Sequence, residues 1–202
     1  MIKKEARILG LSAVRKGRTI LVVGVVFRGS LWLDGVISCI LEMNGTNQNS
    51  TLSRAIKQSK QYSQLHAIIL KEQLVPGWKV NLTDLARRVR LPVIATTNRG
   101  ISRVPKKRKG ARGMQRYDII INRRHLLVLA VGVSRVNAEQ VFSVGCSPRS
   151  GIPEAVRVAD LLVQQASKRR FLCQRRKVKI NENVLAPKTH KFAGMKDISG
   201  AL

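Results

Sequence analysis

Apolar positions along this chain follow two spacings, one typical of strands and one typical of helices. Short β-branched runs bounded by glycine, proline or polar residues predict strands, and they cover residues 19–29, 31–43, 66–70, 92–96, 126–133 and 140–145. Apolar residues three and four positions apart predict helices, and they cover residues 52–65, 81–91 and 152–170. The stretch 117–125 fits either a helix or a strand. An early hairpin followed by strands that alternate with helices predicts a mixed α/β sheet with helices on both faces.

Small polar residues and a proline mark the starts of the predicted helices. Ser50 or Thr51 is the predicted cap of the first helix, and Thr83 is the predicted cap of the second. Pro153 opens the third helix, because proline is favoured in a first turn. One face of that helix is apolar and consists of Val156, Ala159, Leu162 and Val163.

The net charge of the chain excludes more classes of function than its hydropathy does. The 202 residues include 38 Lys+Arg against 11 Asp+Glu, a net charge of +27 at pH 7, and 44% of the residues are hydrophobic. A folded domain with this excess repels itself unless a polyanion neutralises it, and nucleic acid is the polyanion we expect. No apolar run approaches the roughly 20 residues of a membrane-spanning helix. We therefore expect neither a membrane partner nor a small-molecule substrate.

Basic residues are concentrated in two segments of the second half of the chain. The first segment, a basic loop at 99–116 with its continuation, contains Arg99, Arg103, Lys106, Lys107, Arg108, Lys109, Arg112, Arg116, Arg123 and Arg124. The second segment contains Lys168, Arg169, Arg170, Arg175, Arg176, Lys177, Lys179, Lys188 and Lys191. Glycines in the first segment allow the backbone to follow a curved phosphate path. We expect both segments to contact nucleic acid, with an affinity that falls steeply as salt rises.

Three ordered blocks of sequence carry a further signal. They are VVGVVFRGSLWLDGVI (22–37), SQLHAIILKEQLVPGW followed by LPVIATTNR (63–78 and 91–99), and IPEAVRVADLL (152–162). Together they resemble the archaeal endonuclease dU family. The resemblance implies an endonuclease V-like, ribonuclease-H-like α/β fold for residues 1–170, with 171–202 as a basic C-terminal extension. It also implies phosphodiester cleavage by divalent metal ions held by clustered carboxylates.

The positions where this resemblance implies acids hold other residues. Ser12 and Ala13 stand in place of an aspartate pair, and Asn44 and Lys71 stand at two further aspartate positions. A neutral amide is a poor replacement for a charged metal ligand, and an ammonium group repels a metal ion. Glu72 cannot compensate, because neighbours on a strand point to opposite faces. We therefore expect no metal, no cofactor and no catalytic residue.

Two acids within the family-like blocks, Asp34 and Glu154, have a structural interpretation. We expect each to form an ion pair, and Glu154 also to favour the first turn of its helix, where the dipole attracts an acid. A metal cluster rebuilt from Asp34, Glu42, Asp84 and Glu154 is the alternative.

A nuclease-like fold that lacks acids and has added positive charge leads to a specific functional hypothesis. The chain is predicted to be a catalytically inactive, rRNA-binding structural protein of an archaeal ribosome, cytoplasmic and ribosome-associated. Its predicted partners are rRNA and neighbouring ribosomal proteins. One alternative is a metal-dependent endonuclease acting on deaminated or damaged nucleic acid, and a second is a DNA-binding nucleoid protein. Cleavage of a uracil- or inosine-containing strand would favour the first alternative, and binding to duplex DNA as strong as to RNA would favour the second.

Overall fold

The computed structural model describes residues 3–96, 113–147 and 151–168. The described strands are β1 (Arg7–Lys16), β2 (Thr19–Arg28), β3 (Trp32–Glu42), β4 (Leu65–Lys71), β5 (Val93–Thr96), β6 (Met114–Ile121) and β7 (Arg124–Val131). The described α-helices are α1 (Gln48–Lys57), α2 (Leu82–Val89), α3 (Arg135–Gly145) and α4 (Glu154–Lys168). Within these ranges, no helix is long and apolar enough to cross a membrane.

The described strands form one sheet in the order β3-β2-β1-β4-β5-β7-β6. β1 pairs in parallel with β4, and β4 with β5, whereas the other neighbours are antiparallel. The hairpin between β2 and β3 turns at Gly29, whose φ of +60° favours glycine. Since β1, β4 and β5 run in the same direction, their carboxyl ends lie along one edge of the sheet, which we call the carboxyl edge. The mixed α/β architecture predicted from the sequence is confirmed.

The two faces of the sheet bury separate cores, because side chains alternate along each strand. Leu9, Leu11 and Ala13 of β1 belong to the core that packs under α1 and α2. On the opposite face, Ile69 of β4 packs with Phe142 of α3. The odd-numbered side chains of β2 on this second face pack against α4. The sheet is therefore covered by two helices on each side.

Helix α4 lies directly on the backbone of β1 at Gly10. A Cβ atom here would lie 2.2 Å from the carbonyl carbon of Ala155 and 2.4 Å from the amide nitrogen of Val156, closer than nonbonded atoms approach. Farther along, Lys16 Nζ donates to the backbone oxygen of Ala166 over 3.0 Å. The helix thus follows β1 from its middle to its carboxyl end, and a side chain at position 10 would push the two apart.

The predicted strand at 140–145 is wrong, because these residues belong to α3. The buried residues of that helix recur with helical spacing and are Ala138, Val141, Phe142 and Gly145. Ser134 caps the helix by accepting a hydrogen bond from the Asn137 amide over 3.4 Å. A short apolar run such as QVFSVG does not distinguish a strand from a buried helix by spacing alone.

Helix ends differ from prediction for two of the helices. Asn81, not Thr83, caps α2, because its side chain accepts from the Asp84 amide over 3.0 Å. Helix α1 begins and ends earlier than predicted, so Ser50 and Thr51 lie inside it and do not cap it.

Two further expectations also change with the structure. The ambiguous stretch 117–125 is part of a strand hairpin formed by β6 and β7. Leu162 is 37% exposed, so it does not belong to the buried face of α4. The predicted boundary at residue 170 and the extension 171–202 lie outside the described residues.

Candidate functional site

Two donors from the parallel strands converge on one carboxylate of α4. Ser12 Oγ donates a hydrogen bond to Asp160 Oδ1, and Lys71 Nζ donates one to Asp160 Oδ2. Lys71 is the last residue of β4 and pairs in register with Thr96, the last residue of β5. The cluster of Ser12, Lys71 and Asp160 therefore lies toward the carboxyl edge, and we call it the Ser-Lys-Asp site.

Strand alternation explains why these two donors face the same helix. Leu11 and Ala13 are buried on the α1 and α2 face, so Ser12 between them faces α4. Lys71 lies two positions after Ile69, whose side chain is buried on the face that α3 and α4 cover. Lys71 is therefore on that face as well, at the point where β4 ends.

Asp160 borders the buried stripe of α4. Val156, Ala159 and Val163 are buried against the sheet, and Asp160 follows Ala159 directly, on the side of the helix that is nearest β1 and β4. The sequence pattern does not single out Asp160. An acid at the border of a sheet-facing stripe is a weak signal, because most such acids face only solvent.

Exposure differs within the Ser-Lys-Asp site. Ser12 is buried, with 5% of its surface exposed, and its hydroxyl needs the partner that Asp160 provides. The side chains of Lys71 and Asp160 are 34% and 23% exposed, so a ligand can reach this ion pair from solvent. An ammonium group has three N–H donors. Lys71 directs one of them at Asp160, and the others are available to a second acceptor.

The residues of this site do not fit the metal centre that the resemblance implies. A two-metal site needs several carboxylates to hold its cations, and the Ser-Lys-Asp site has the single carboxylate of Asp160. One oxygen of that carboxylate already accepts from the Lys71 ammonium, which repels a divalent cation. Across residues 3–96, 113–147 and 151–168, no group of three His, Cys, Asp or Glu side chains could hold a metal ion.

The structure brings together two of the four positions where the resemblance implies acids. Ser12 and Lys71 share Asp160. Ala13 is instead buried in the core on the opposite face of the sheet. Asn44 is exposed in the turn after β3. Of these four residues, only Ser12 and Lys71, on the α4 face of the sheet, therefore belong to one site.

Asp34 and Glu154 form the ion pairs expected of them. Asp34 accepts from Arg7 Nε and, over 3.3 Å, from Arg28, and the hydrogen bond from Arg7 is the main cause that lowers the pKa of this carboxyl. Glu154 lies in the first turn of α4 and pairs with Arg157 over 2.6 Å. Glu154 is 8% exposed and the Arg157 side chain is 48% exposed, so the pair joins a buried carboxylate to a guanidinium group at the surface.

Asp84 is the third acid held by guanidinium groups. It accepts from Arg87 and Arg88 over 2.8 Å each, within α2. These bonds, led by the one from Arg88, lower the pKa of Asp84 to about 2. The metal cluster considered as an alternative from the sequence does not form among the described residues, where no three such side chains could hold a metal ion. Three of its four acids, Asp34, Asp84 and Glu154, are instead paired with guanidinium groups.

Most of the predicted nucleic-acid contacts lie outside the described residues. They are Arg99, Arg103, Lys106, Lys107, Arg108, Lys109, Arg112, Arg169, Arg170, Arg175, Arg176, Lys177, Lys179, Lys188 and Lys191. The described members are Arg116, Arg123, Arg124 and Lys168, and all four are exposed.

These described basic residues lie toward the edge of the sheet that carries the Ser-Lys-Asp site. Thr96 ends β5 and pairs with Val128 of β7, so β7 starts, at Arg124, beyond the end of β5. Arg116 pairs with Leu129, nearly level with Thr96. Helix α4 follows β1 toward its carboxyl end and stops at Lys168. We define the basic edge as Lys16, Lys71, Arg116, Arg123, Arg124 and Lys168.

Sequence comparison identifies the protein family that this chain matches. The endonuclease dU family model matches residues 4–167. A UPF0215 protein of Methanosarcina acetivorans is 31% identical over 179 residues, which cover 80% of this chain and 90% of that protein. A UPF0215 protein of Methanothermobacter thermautotrophicus is 28% identical over 179 residues, which cover 80% of this chain and 87% of that protein.

Solved structures show the same fold at low identity. A protein of unknown function from Archaeoglobus fulgidus has a TM-score of 0.63 at 18% identity and covers 79% of this chain and 96% of its own. Endonuclease V from Streptomyces avermitilis has a TM-score of 0.56 at 16% identity, with 80% and 81% covered. Ciona intestinalis endonuclease V, in complex with a 24mer DNA containing an inosine followed by a ribo-adenosine, has a TM-score of 0.55 at 13% identity, with 81% and 86% covered.

Two predictions from the sequence are wrong in view of these matches. The ribosomal assignment has no support, because the matched family and the structural neighbours are nuclease-like and none is described as ribosomal. The prediction of a protein without enzymatic activity is overturned by the match to the endonuclease dU family model, which points to an enzyme. The resemblance and the endonuclease V-like fold are confirmed, and the chain belongs to the endonuclease dU family.

Proposed function

We propose that this protein is an endonuclease that binds a nucleic-acid strand along the basic edge and cuts it near a deaminated base. The observation that carries the proposal is the convergence of Ser12, Lys71 and Asp160 at the carboxyl ends of parallel strands, in a chain of the endonuclease dU family. Ligands of open α/β sheets bind outside the carboxyl ends of the strands. The site therefore lies where such a fold places its chemistry.

The charge around the site supports a polyanionic substrate. The basic edge brings residues of β1, β4, β6, β7 and α4 toward the carboxyl ends of the parallel strands, with Arg116 on the face that α1 and α2 cover. Phosphate contacts of this kind position a strand without reading its sequence. The chain also leaves β5 at Thr96, beside Lys71, three residues before the basic segment that begins at Arg99 in the sequence. A strand held by these groups passes over the Ser-Lys-Asp site.

The deaminated base is supported by the comparisons and not by a base pocket. The matched family is that of endonuclease dU, and a protein of the same fold is described in complex with inosine-containing DNA. Uracil and hypoxanthine, the base of inosine, are the deamination products of cytosine and adenine. The proposed substrate class is therefore a strand that contains either base.

The side chains of the site supply two elements of phosphodiester hydrolysis. A water oxygen forms the new bond to phosphorus while one ester P–O bond breaks, and the electrons of that bond stay on the leaving oxygen, which takes a proton from solvent. Asp160 is placed to accept the proton of the attacking water. Lys71 is placed to offset the negative charge that builds on a phosphoryl oxygen. Ser12 holds the Asp160 carboxylate in position.

A cleavage assay with matched strands tests this proposal. End-labelled oligonucleotides of one sequence, with deoxyuridine, deoxyinosine or no modified base, are incubated with the full chain in the presence of Mg²⁺, Mn²⁺ or excess EDTA. We expect a product from at least one modified strand, little from the unmodified strand, and loss of the product with Asp160→Asn. Failure to cut any strand under all three conditions, or full activity of Asp160→Asn, would overturn the proposal.

A further inference from the structure

We propose that the Lys71 ammonium is the resident cation of the Ser-Lys-Asp site and binds a phosphate oxygen of the strand directly, so that strand binding there needs no divalent metal. The inference rests on the proposed function for the identity of the strand. It deepens that proposal by assigning phosphate recognition to the Lys71 ammonium and not to a divalent metal ion.

A positive charge already faces Asp160, the one carboxylate at the site among residues 3–96, 113–147 and 151–168. Both oxygens of Asp160 accept hydrogen bonds, one from Ser12 and one from Lys71. A divalent cation that approached Asp160 would have to displace the ammonium or remain next to it. Because the cation and the ammonium are both positive, they would repel each other. The ammonium already neutralises Asp160, so the attraction that would recruit a metal ion is absent.

The Lys71 ammonium is also held in place before any ligand binds. Lys71 ends β4, and its backbone is paired with Thr96 of β5. Its Nζ is tied to Asp160, whose other oxygen is tied to the buried Ser12. A cation that is positioned before the ligand arrives loses little conformational freedom on binding. This is the property that a bound metal ion otherwise provides.

A ligand can reach the Lys71 ammonium from solvent. The Lys71 side chain is 34% exposed, although its charge is paired, and two N–H donors remain for an acceptor. Lysine is a common point-charge ligand of phosphate groups. Lys71 is also the member of the basic edge that contacts Asp160 directly. A phosphate bound to Lys71 therefore lies next to the carboxylate proposed to act on it.

Strand binding without metal is the direct test. Fluorescence anisotropy with a labelled deoxyuridine oligonucleotide measures the affinity of the full chain in Mg²⁺ and in excess EDTA at one ionic strength. We expect the two affinities to agree within about twofold, and Lys71→Met to weaken binding about tenfold or more in both, as for loss of a charged hydrogen bond. Lys57→Met is the matched control, because it removes the same charge from an exposed position on α1, on the other face of the sheet.

Two results would overturn the inference: binding by the unaltered protein that disappears in EDTA, or equal losses in Lys71→Met and Lys57→Met. Lys71→Gln serves as a second variant if the methionine variant does not fold, and thermal unfolding followed by circular dichroism checks each protein.

Metal binding gives a readout that is independent of any strand. Titration of the full chain with Mn²⁺, followed by the electron paramagnetic resonance signal of the free ion, should show no stoichiometric binding that depends on Asp160. Lys71→Asp, which places a second carboxylate beside Asp160, should bind Mn²⁺ more tightly than the unaltered chain. Stoichiometric binding by the unaltered chain that Asp160→Asn removes would contradict the inference.

The outcomes separate this inference from the proposed function. If the strand binds in EDTA through Lys71 but is never cut, the proposed function fails and the inference stands. If the modified strand is cut and Lys71→Met binds it normally, the inference fails and the proposed function stands.

Discussion

Asp160 and Asp34 are two carboxylates that each bridge two donors, yet they lie at opposite ends of the same sheet. Asp160 joins Ser12 of β1 to Lys71 of β4, near the carboxyl ends of these strands. Asp34 joins Arg7, the first residue of β1, to Arg28, the last residue of β2. The two ion pairs are similarly accessible, since the Arg28 side chain is 39% exposed and the Lys71 side chain is 34% exposed. The position in the fold, more than the number of bonds, distinguishes the acid that we propose acts on a strand from the structural one.

The largest difference between the two acids is expected when each is neutralised in turn. We expect Asp160→Asn to reduce cleavage of a deoxyuridine strand about 100-fold or more, because it removes a proton acceptor and releases Lys71. Asp34→Asn should change the rate less than about threefold, since Asp34 does not contact the strand proposed at the carboxyl edge. Single-turnover rates on the same oligonucleotide measure both. Equal losses in the two variants would show that the acids do not differ in role.

A methyl group at Gly10 should move α4 and therefore Asp160, whereas Asp34 lies at the opposite end of the sheet. Its Cβ would lie 2.2 Å from backbone atoms of Ala155, and the helix must shift or the fold must loosen. We expect Gly10→Ala to lower the free energy of unfolding by about 3 kcal/mol and to abolish cleavage even where the protein remains folded.

Urea unfolding and the cleavage rate together check this expectation. Gly24→Ala is the matched control, because the atoms that a Cβ would meet there belong to the side chains of Ile37, Leu11 and Leu9, which can move more easily than the backbone of a helix. An unchanged rate in Gly10→Ala would mean that the position of α4 does not matter for the site.

Removing the Asp34 carboxylate should affect stability more than removing Asp160 does. Asp34→Ala leaves two guanidinium groups without the acid that they share, and Arg7 is only partly exposed. We expect a loss of about 1–3 kcal/mol in the free energy of unfolding. Urea unfolding at neutral pH measures the loss, with Asp160→Ala as the comparison. A larger loss for Asp160→Ala would reverse the assignment of the structural acid.

The smallest expected effect is the pH dependence of the Asp34 contribution. The hydrogen bond from Arg7 lowers the pKa of Asp34 in the folded protein, so the stabilisation is present above the unfolded pKa of about 4. It is lost as the pH falls through the lower folded value. The stability difference between the unaltered protein and Asp34→Asn, about 1 kcal/mol, should be constant from neutral pH down to about 5 and should close below about 4. A difference that stays unchanged as the pH falls below about 4 would rule out titration of Asp34 as its cause.

Strands with uninterrupted apolar runs could be predicted from the sequence, and the strand that carries the site could not. β2, β4 and β5 are dense in valine, isoleucine and leucine, and their predicted bounds agree with the structure to within a residue or two. β1 reads RILGLSAVRK, where Gly10 and Ser12 interrupt the pattern. Gly10 allows the close approach of α4, and Ser12 donates a hydrogen bond to Asp160. The two residues that serve the site are therefore the ones that obscure the strand.

The site itself could be predicted only in part, for a related reason. Ser12 and Lys71 draw attention because the family resemblance implies acids at their positions. Asp160 does not, because nothing local distinguishes it from other acids on exposed helix surfaces. Its role appears only when α4 packs across β1, which is a contact between distant parts of the chain. The expectation of an inactive protein followed from counting acids without this one.

The bond between Ser12 and Asp160 joins residues that are 148 positions apart, and this separation sets the order of events during synthesis. Amino-terminal segments leave the exit tunnel first, so β1 and β4 emerge well before α4, and until α4 docks the lysine has no counter-ion and the serine hydroxyl no acceptor. An incomplete chain can carry much of the sheet and still lack the acid. Under the proposed function, no strand is therefore cut until α4 is in place, and a truncated product leaves the strands around it intact.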